Sequence, residues 1–272
     1  AMAQGQYEFS SDVTRPLQES MDGANEFELW EPSDLPADGS YKIVGSEFSQ
    51  VLEVDVAPGK RVTAEPGTMV YMEDGLELDA DVGGLAQGLS RSYFAGESMF
   101  RMHLINKTST SRKLGISPRT PAKIVTLDLA QNSGLIVNRG AFLAATGEDW
   151  KLNVQLVGSL GAAGFGGQGL FMNTLHGTGT AFLNGGGTVV QKVLKPGETV
   201  IVNQHSVLAF ERTVHFGVKR VDTAWACCCA GQGLFNATLT GPGFVLMHSM
   251  SDAKLAKAIN PAGGKKGARK KT

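Results

Sequence analysis

Between residues 40 and 249 the chain is written in short apolar runs separated by Gly, Pro, Asn and Ser, with no long segment holding a 3.6-residue period. The runs obey one grammar three times. VLEVDVAPGKRVTAEPGTMVYM from Val51, KIVTLDLAQNSGLIVNRGAFLAA from Lys123 and VVQKVLKPGETVIVNQHSVLAF from Val189 each read strand, tight turn, strand, second turn, strand. Pro58-Gly59, Asn132-Ser133 and Pro196-Gly197 carry the first turn, because Pro presets φ and Gly or Asn accepts positive φ. Val62, Leu135 and Val200 take one place in the next strand, and Gly67, Gly140 and His205 hold the second turn. The runs that follow, Met69-Val70-Tyr71, Phe142-Leu143-Ala144 and Val207-Leu208-Ala209, are predicted to be buried strands.

A second half repeats as well: Gly96-Glu97-Ser98-Met99-Phe100, Gly167-Gln168-Gly169-Leu170-Phe171 and Gly231-Gln232-Gly233-Leu234-Phe235. Leu104, Leu175 and Leu239 fall four residues after the Phe, on the same face of a strand with period two. Copies two and three then share Gly177-Thr178-Gly179 and Gly241-Pro242-Gly243, which the first copy replaces with the polar stretch Asn106 to Lys113. Equivalent residues lie about 71 to 73 apart and then about 64 to 65 apart. The expected fold is all-β: three tandem antiparallel modules of sandwich or half-barrel type, at about 40–120, 121–187 and 188–249. Packing around a pseudo-threefold axis would let them close their edges against one another.

Charge adds two arms to this body. Residues 1–39 carry Glu8, Asp12, Glu19, Asp22, Glu26, Glu28, Glu31, Asp34 and Asp38 against Arg15, and read as an acidic, largely irregular segment. Residues 250–272 read as a short helix followed by the basic tail Lys265, Lys266, Arg269, Lys270 and Lys271. The net charge of the 272-residue chain is -1, so no global field recruits nucleic acid or an anionic membrane. No run reaches the roughly 18 apolar residues of a membrane span, and no basic-then-apolar leader opens the chain. The three cysteines are consecutive, Cys227 to Cys229, and give no disulfide framework. These features lead us to expect a soluble, cytoplasmic protein.

Several motifs in order, Glu53 to Met72, Gly96 to Phe100, Gly134 to Ala144 and the two GQGLF hairpins, carry a resemblance covering roughly Tyr41 to Ser249. Across that span the chain resembles the altered-inheritance-of-mitochondria twenty-four family, which has many uncharacterised bacterial relatives. The resemblance implies a β fold like that of the tryptophan RNA-binding attenuation protein and offers mitochondria as the alternative location. It carries no catalytic residues across. The many acids and single Arg of residues 2–30 depart from the character of a mitochondrial leader.

The search for chemistry returns no catalytic constellation and no cofactor motif. His103, His176, His205, His215 and His248 do not pair at two, three or four residues, so no local metal site is expected. Gly164 to Gly169 matches GxGxxG, yet a strand-like LFMNTL follows where a phosphate loop would open a helix. The cysteine run is read as small apolar packing. Glu97, Gln168 and Gln232 hold one repeat position; they could bind an ion near the axis, or cap buried loop amides. Leu85, Leu89, Tyr93, Phe94, Leu160, Phe165 and Trp225 precede the hairpins, and would either close the core at one end or form a shared apolar patch. The expected function is therefore a non-enzymatic scaffold or adaptor working through protein partners or self-association. The alternative is a ligand-, lipid- or nucleic-acid-binding module, with membrane surface and nucleic acid as weaker partners than protein and no small-molecule substrate identified.

Overall fold

The structure is a computed structural model, and it describes residues 26–31, 36, 39–46, 48–81, 101–131, 134–157, 170–220 and 235–259. The described residues are all-β, in several antiparallel sheets of which none closes on itself. Strands β1 (Glu28–Leu29) and β2 (Tyr41–Ser46) come first. Six strands follow: β3 (Ser49–Val56), β4 (Arg61–Ala64), β5 (Met69–Met72), β6 (Leu76–Asp81), β7 (Arg101–Asn106) and β8 (Arg112–Ile116). Six more are β9 (Lys123–Asp128), β10 (Leu135–Val137), β11 (Phe142–Thr146), β12 (Trp150–Val157), β13 (Leu170–Gly177) and β14 (Thr180–Gly185). The last six are β15 (Val189–Leu194), β16 (Thr199–Val202), β17 (Val207–Glu211), β18 (His215–Arg220), β19 (Phe235–Thr240) and β20 (Gly243–His248), after which helix α1 spans Asp252–Ile259.

The hydrogen-bond ladder is the same in these three consecutive runs of six. In each, the first strand pairs with the sixth and the sixth with the third: β3–β8–β5, β9–β14–β11 and β15–β20–β17. The second pairs with the fifth and the fifth with the fourth: β4–β7–β6, β10–β13–β12 and β16–β19–β18. Successive runs are joined where the second strand of one meets the third strand of the next, β4 with β11 and β10 with β17. The resulting sheets are β1-β15-β20-β17-β10-β13-β12, β6-β7-β4-β11-β14-β9, β2-β3-β8-β5 and β16-β19-β18.

Alternation decides which faces are buried. In β7, Met102, Leu104 and Asn106 point inward while Arg101, His103 and Ile105 are partly exposed, a period of two. Strands β11, β14 and β17 are buried almost throughout, so both of their faces are covered. Leu104, Leu175 and Leu239 are each fully buried and fall one into each of three apolar clusters, as their shared spacing predicts. Phe142, Phe182 and Phe210 are the bulkiest fully buried side chains, and a buried Phe contributes about 1.5–3 kcal/mol.

The turns follow the sequence. Gly59 and Gly197 adopt positive φ, +74° and +78°, which the Pro-Gly turns demand. The polar turn peculiar to the first run is built on buried Asn106. Its Nδ2 donates to the carbonyls of Val56 (2.7 Å) and Thr110 (2.8 Å), and its Oδ1 accepts from the Thr108 amide (2.9 Å) and hydroxyl (2.7 Å). Part of the acidic N-terminal segment is held on the body. β1 pairs with β15, and Trp30 is buried in the largest cluster with its backbone N–H donating to the Val189 carbonyl at 3.0 Å. Helix α1 is fastened by Thr120 Oγ1 donating to Asp252 Oδ1 (2.8 Å) and by Lys254 Nζ donating to the Ser249 carbonyl (3.1 Å).

One expectation is overturned. Met69-Val70-Tyr71 was predicted to be a buried strand like its two counterparts; β5 is exposed along its whole length. The physical reason is that β8 flanks β5 on one side and, among the described residues, no strand pairs with its other side.

Candidate functional site

The residues singled out from sequence do not decide the site. Leu85, Leu89, Tyr93, Phe94, Leu160, Phe165 and Trp225, the trio Glu97, Gln168 and Gln232, the cysteines 227–229 and the tail Lys265, Lys266, Arg269, Lys270 and Lys271 all lie outside the described residues. Among the described residues no three His, Cys, Asp or Glu side chains gather to hold a metal ion, and no helix is long and apolar enough to cross a membrane.

Two open strand edges stand out instead. Met69, Val70, Tyr71 and Met72 in β5 are 40%, 56%, 40% and 40% exposed. At the same place in the ladder, Phe142, Leu143, Ala144 and Ala145 of β11 are at most 2% exposed, and Val207, Leu208, Ala209 and Phe210 of β17 are fully buried. The difference is that β4 covers β11 and β10 covers β17. The strand equivalent to β4 and β10 in the last run is β16, and among the described residues it too has no strand on one side, with Ile201 53% exposed. Natural sheets blunt such edges with Lys, Pro or inward charges; β5 and β16 carry no charged residue and no Pro.

The outer face beside β5 is polar. In the ladder, Tyr71 lies opposite Gly115, and Gly115 opposite Glu53. The Tyr71 ring covers Gly115 so closely that a Cβ there would stand 2.3 Å from the ring. Tyr71 Oη donates to Glu53 Oε2, while Lys42 and Lys113 reach Glu53 Oε1 at 2.8 Å and 3.1 Å. The Lys42 hydrogen bond, then those from Tyr71 and Lys113, hold the Glu53 carboxyl down at about 2, and Glu53 in turn pushes the Tyr71 hydroxyl up. At the matching positions of the other two runs a small residue faces a large one, Ala144 opposite Phe182 and Ala209 opposite Leu246. The large and small partners are exchanged in the first run, and this exchange is the signal in the sequence that could have marked β5 as different.

A second feature is a cleft of about 170 Å³ lined by residues that include Thr120, Asn138, Asn184, His205, His248 and Asp252. His248 Nδ1 accepts from the Gly186 amide (3.3 Å) and Nε2 donates to the His205 carbonyl (3.1 Å), which fixes the neutral tautomer. Burial, followed by the Lys254 charge, lowers its pKa to about 4 against the raising effects of the His205 carbonyl and Asp252. Asn184 Nδ2 donates to the Gly140 carbonyl at 3.2 Å. Asn184 and His248 thus hold the same place in successive runs and latch equivalent turns, a structural use of both side chains.

Comparison with known proteins places this body. An uncharacterized protein of Streptococcus pyogenes serotype M6 is 32% identical over 218 residues, covering 77% of this chain and 85% of the relative. The X-ray crystal structure of a Streptococcus pyogenes protein superposes with a TM-score of 0.65 at 26% identity, covering 81% of this chain and 98% of that one. Both relatives are bacterial, whereas the family description is mitochondrial. Residues 41–250 match the family described as Mitochondrial biogenesis AIM24, and the chain belongs to that family.

Proposed function

We propose that this protein is a non-enzymatic scaffold or adaptor that presents open strand edges to protein partners or to further copies of itself. In this reading the three six-strand runs are modules set about a pseudo-threefold axis, in the manner of the tryptophan RNA-binding attenuation protein fold, with the junction between the last run and the first left open among the described residues. The observation that carries the reading is the exposure of β5 where both of its counterparts are buried. An unpaired strand offers a row of backbone donors and acceptors for β-augmentation, and its side chains supply selectivity. The test compares the intact chain with Val70→Lys by sedimentation and by affinity capture from the native cell. Loss of self-association, or of a specific captured protein, in the variant alone supports the reading. An intact chain that is monomeric and captures nothing defeats it.

A ligand-binding reading draws on one observation, the Asn184 Oδ1 atom, which is buried without a hydrogen-bond partner among the described residues and belongs to a cleft-lining residue. It ranks second because Asn184 and His248 already serve the turns. A thermal-shift screen of small polar ligands would promote it if Asn184→Ala abolished a response.

A further inference from the structure

The ladder predicts more than an open edge; it predicts a register. At the first junction Ala64 pairs with Ala144, Thr63 with Ala145 and Val62 with Thr146. At the second, Val137 pairs with Ala209, Ile136 with Phe210 and Leu135 with Glu211. The third strands can be aligned through their sixth-strand neighbours. Each has a bulge after its first residue, with Tyr71, Ala144 and Ala209 then opposite Gly115, Phe182 and Leu246. The second strands align as Ala64, Val137 and Val202 through their fifth-strand partners Met102, Asn173 and Ala237.

We infer that β5 of one copy pairs antiparallel with β16 of a second copy, with Tyr71 opposite Val202, Met72 opposite Ile201 and Glu73 opposite Val200. This inference rests on the scaffold reading and names its partner as this same chain.

Three features favour that occupant. The junction is one the chain already makes twice, so a strand of the β16 type is a shape that a strand of the β5 type accepts. Among the described residues neither edge has a pairing strand on its free side, and both carry exposed apolar side chains, Met69 to Met72 on one and Ile201 on the other. The outer face next to β5 is a charged network of Lys42, Glu53, Asp55 and Lys113, which suits water and leaves strand-to-strand pairing as the route to covering the edge. The two surfaces differ, so the contact is heterologous: each added copy leaves one β5 and one β16 free, and the assembly closes as a ring or extends.

The test uses the full chain with Cys227, Cys228 and Cys229 replaced by Ser, in which Met72→Cys and Ile201→Cys are made singly and together. Mixed single variants treated with a short bismaleimide are expected to give a covalent dimer that neither variant gives alone. A cross-linked monomer from the double variant would show that β16 closes on β5 within one chain and would overturn the inference, as would a mixture that yields no dimer. Sedimentation across concentration supplies a second measurement: Ile201→Lys should raise the concentration needed for association by about tenfold or more, because a charge set into a strand pairing must be displaced or desolvated. An unchanged midpoint in a variant with the same far-UV spectrum also overturns it. If these experiments fail while Val70→Lys still loses a captured protein, the scaffold reading stands with a different partner.

Discussion

Acidification should destabilise this protein through His248, and the structure sets the size of the effect. The imidazole is 7% exposed and is satisfied on both nitrogens as the neutral form, accepting from Gly186 and donating to His205. A proton added at Nδ1 would face the Gly186 amide hydrogen and would have to be held in a buried site beside Lys254. The folded pKa of about 4 lies below the ordinary 6.5, so between these values the unfolded chain binds more protons than the folded one. The contribution of neutral His248 is therefore complete above pH 6.5, falls as the pH drops toward 4, and changes no further below that. A gap of that width corresponds to about 3 kcal/mol. The control is His248→Asn, which installs the side chain that latches the equivalent turn at Asn184. Urea unfolding of both proteins from pH 7.5 to 4 isolates the histidine, since the carboxylates titrate in both. The stability advantage of the parent over the variant should shrink by about 3 kcal/mol across that range. Parallel profiles would refute the reasoning.

Other substitutions test the packing that positions the edges. Phe182→Ala removes a fully buried ring that meets Tyr41 edge-on at 4.9 Å, and should cost about 3–5 kcal/mol in urea unfolding. A loss under about 1 kcal/mol would mean that the cluster is loosely packed there. Asn106→Ala strands two carbonyls and the Thr108 donors, and should lower stability by about 2 kcal/mol or more. Asn106→Asp should be no better, because a carboxylate has no proton to offer Val56 or Thr110. Gly115→Ala should be destabilising beneath the Tyr71 ring and nearly neutral in a Tyr71→Ala background, a coupling measured by a double-mutant cycle. Equal effects in both backgrounds would show that the ring is not what Gly115 accommodates.

Local grammar made much of this fold readable in advance. Alternation located the strands. Pro58-Gly59 and Pro196-Gly197 located turns that do take positive φ at the glycine. The shared spacing of Leu104, Leu175 and Leu239 found three core positions that are all buried. These signals work because each is set by neighbours a few residues away. The position of Trp30 was hidden for the opposite reason: its burial is made by β15 and the large cluster, which lie far along the chain, while its own segment has a composition that reads as solvated. His248 was hidden in the same way, since its partners, the His205 carbonyl and the Gly186 amide, lie more than forty residues away in the sequence.

The exposure of β5 is a sharper case, because its sequence looks as apolar as that of its buried counterparts. A period of two reports whether a strand has a covered face; it is silent on whether the strand has a neighbour on each side. In this fold the neighbour of a third strand is the second strand of the preceding run, as β4 is to β11 and β10 is to β17. Three runs in a line contain two such adjacencies, and both are made. Among the described residues no strand pairs with the free side of β5 or of β16, even though their sequences obey the common grammar. What the local pattern leaves undecided is the neighbour of an edge strand, because that neighbour is set by the order of the runs along the chain and not by the strand's own residues.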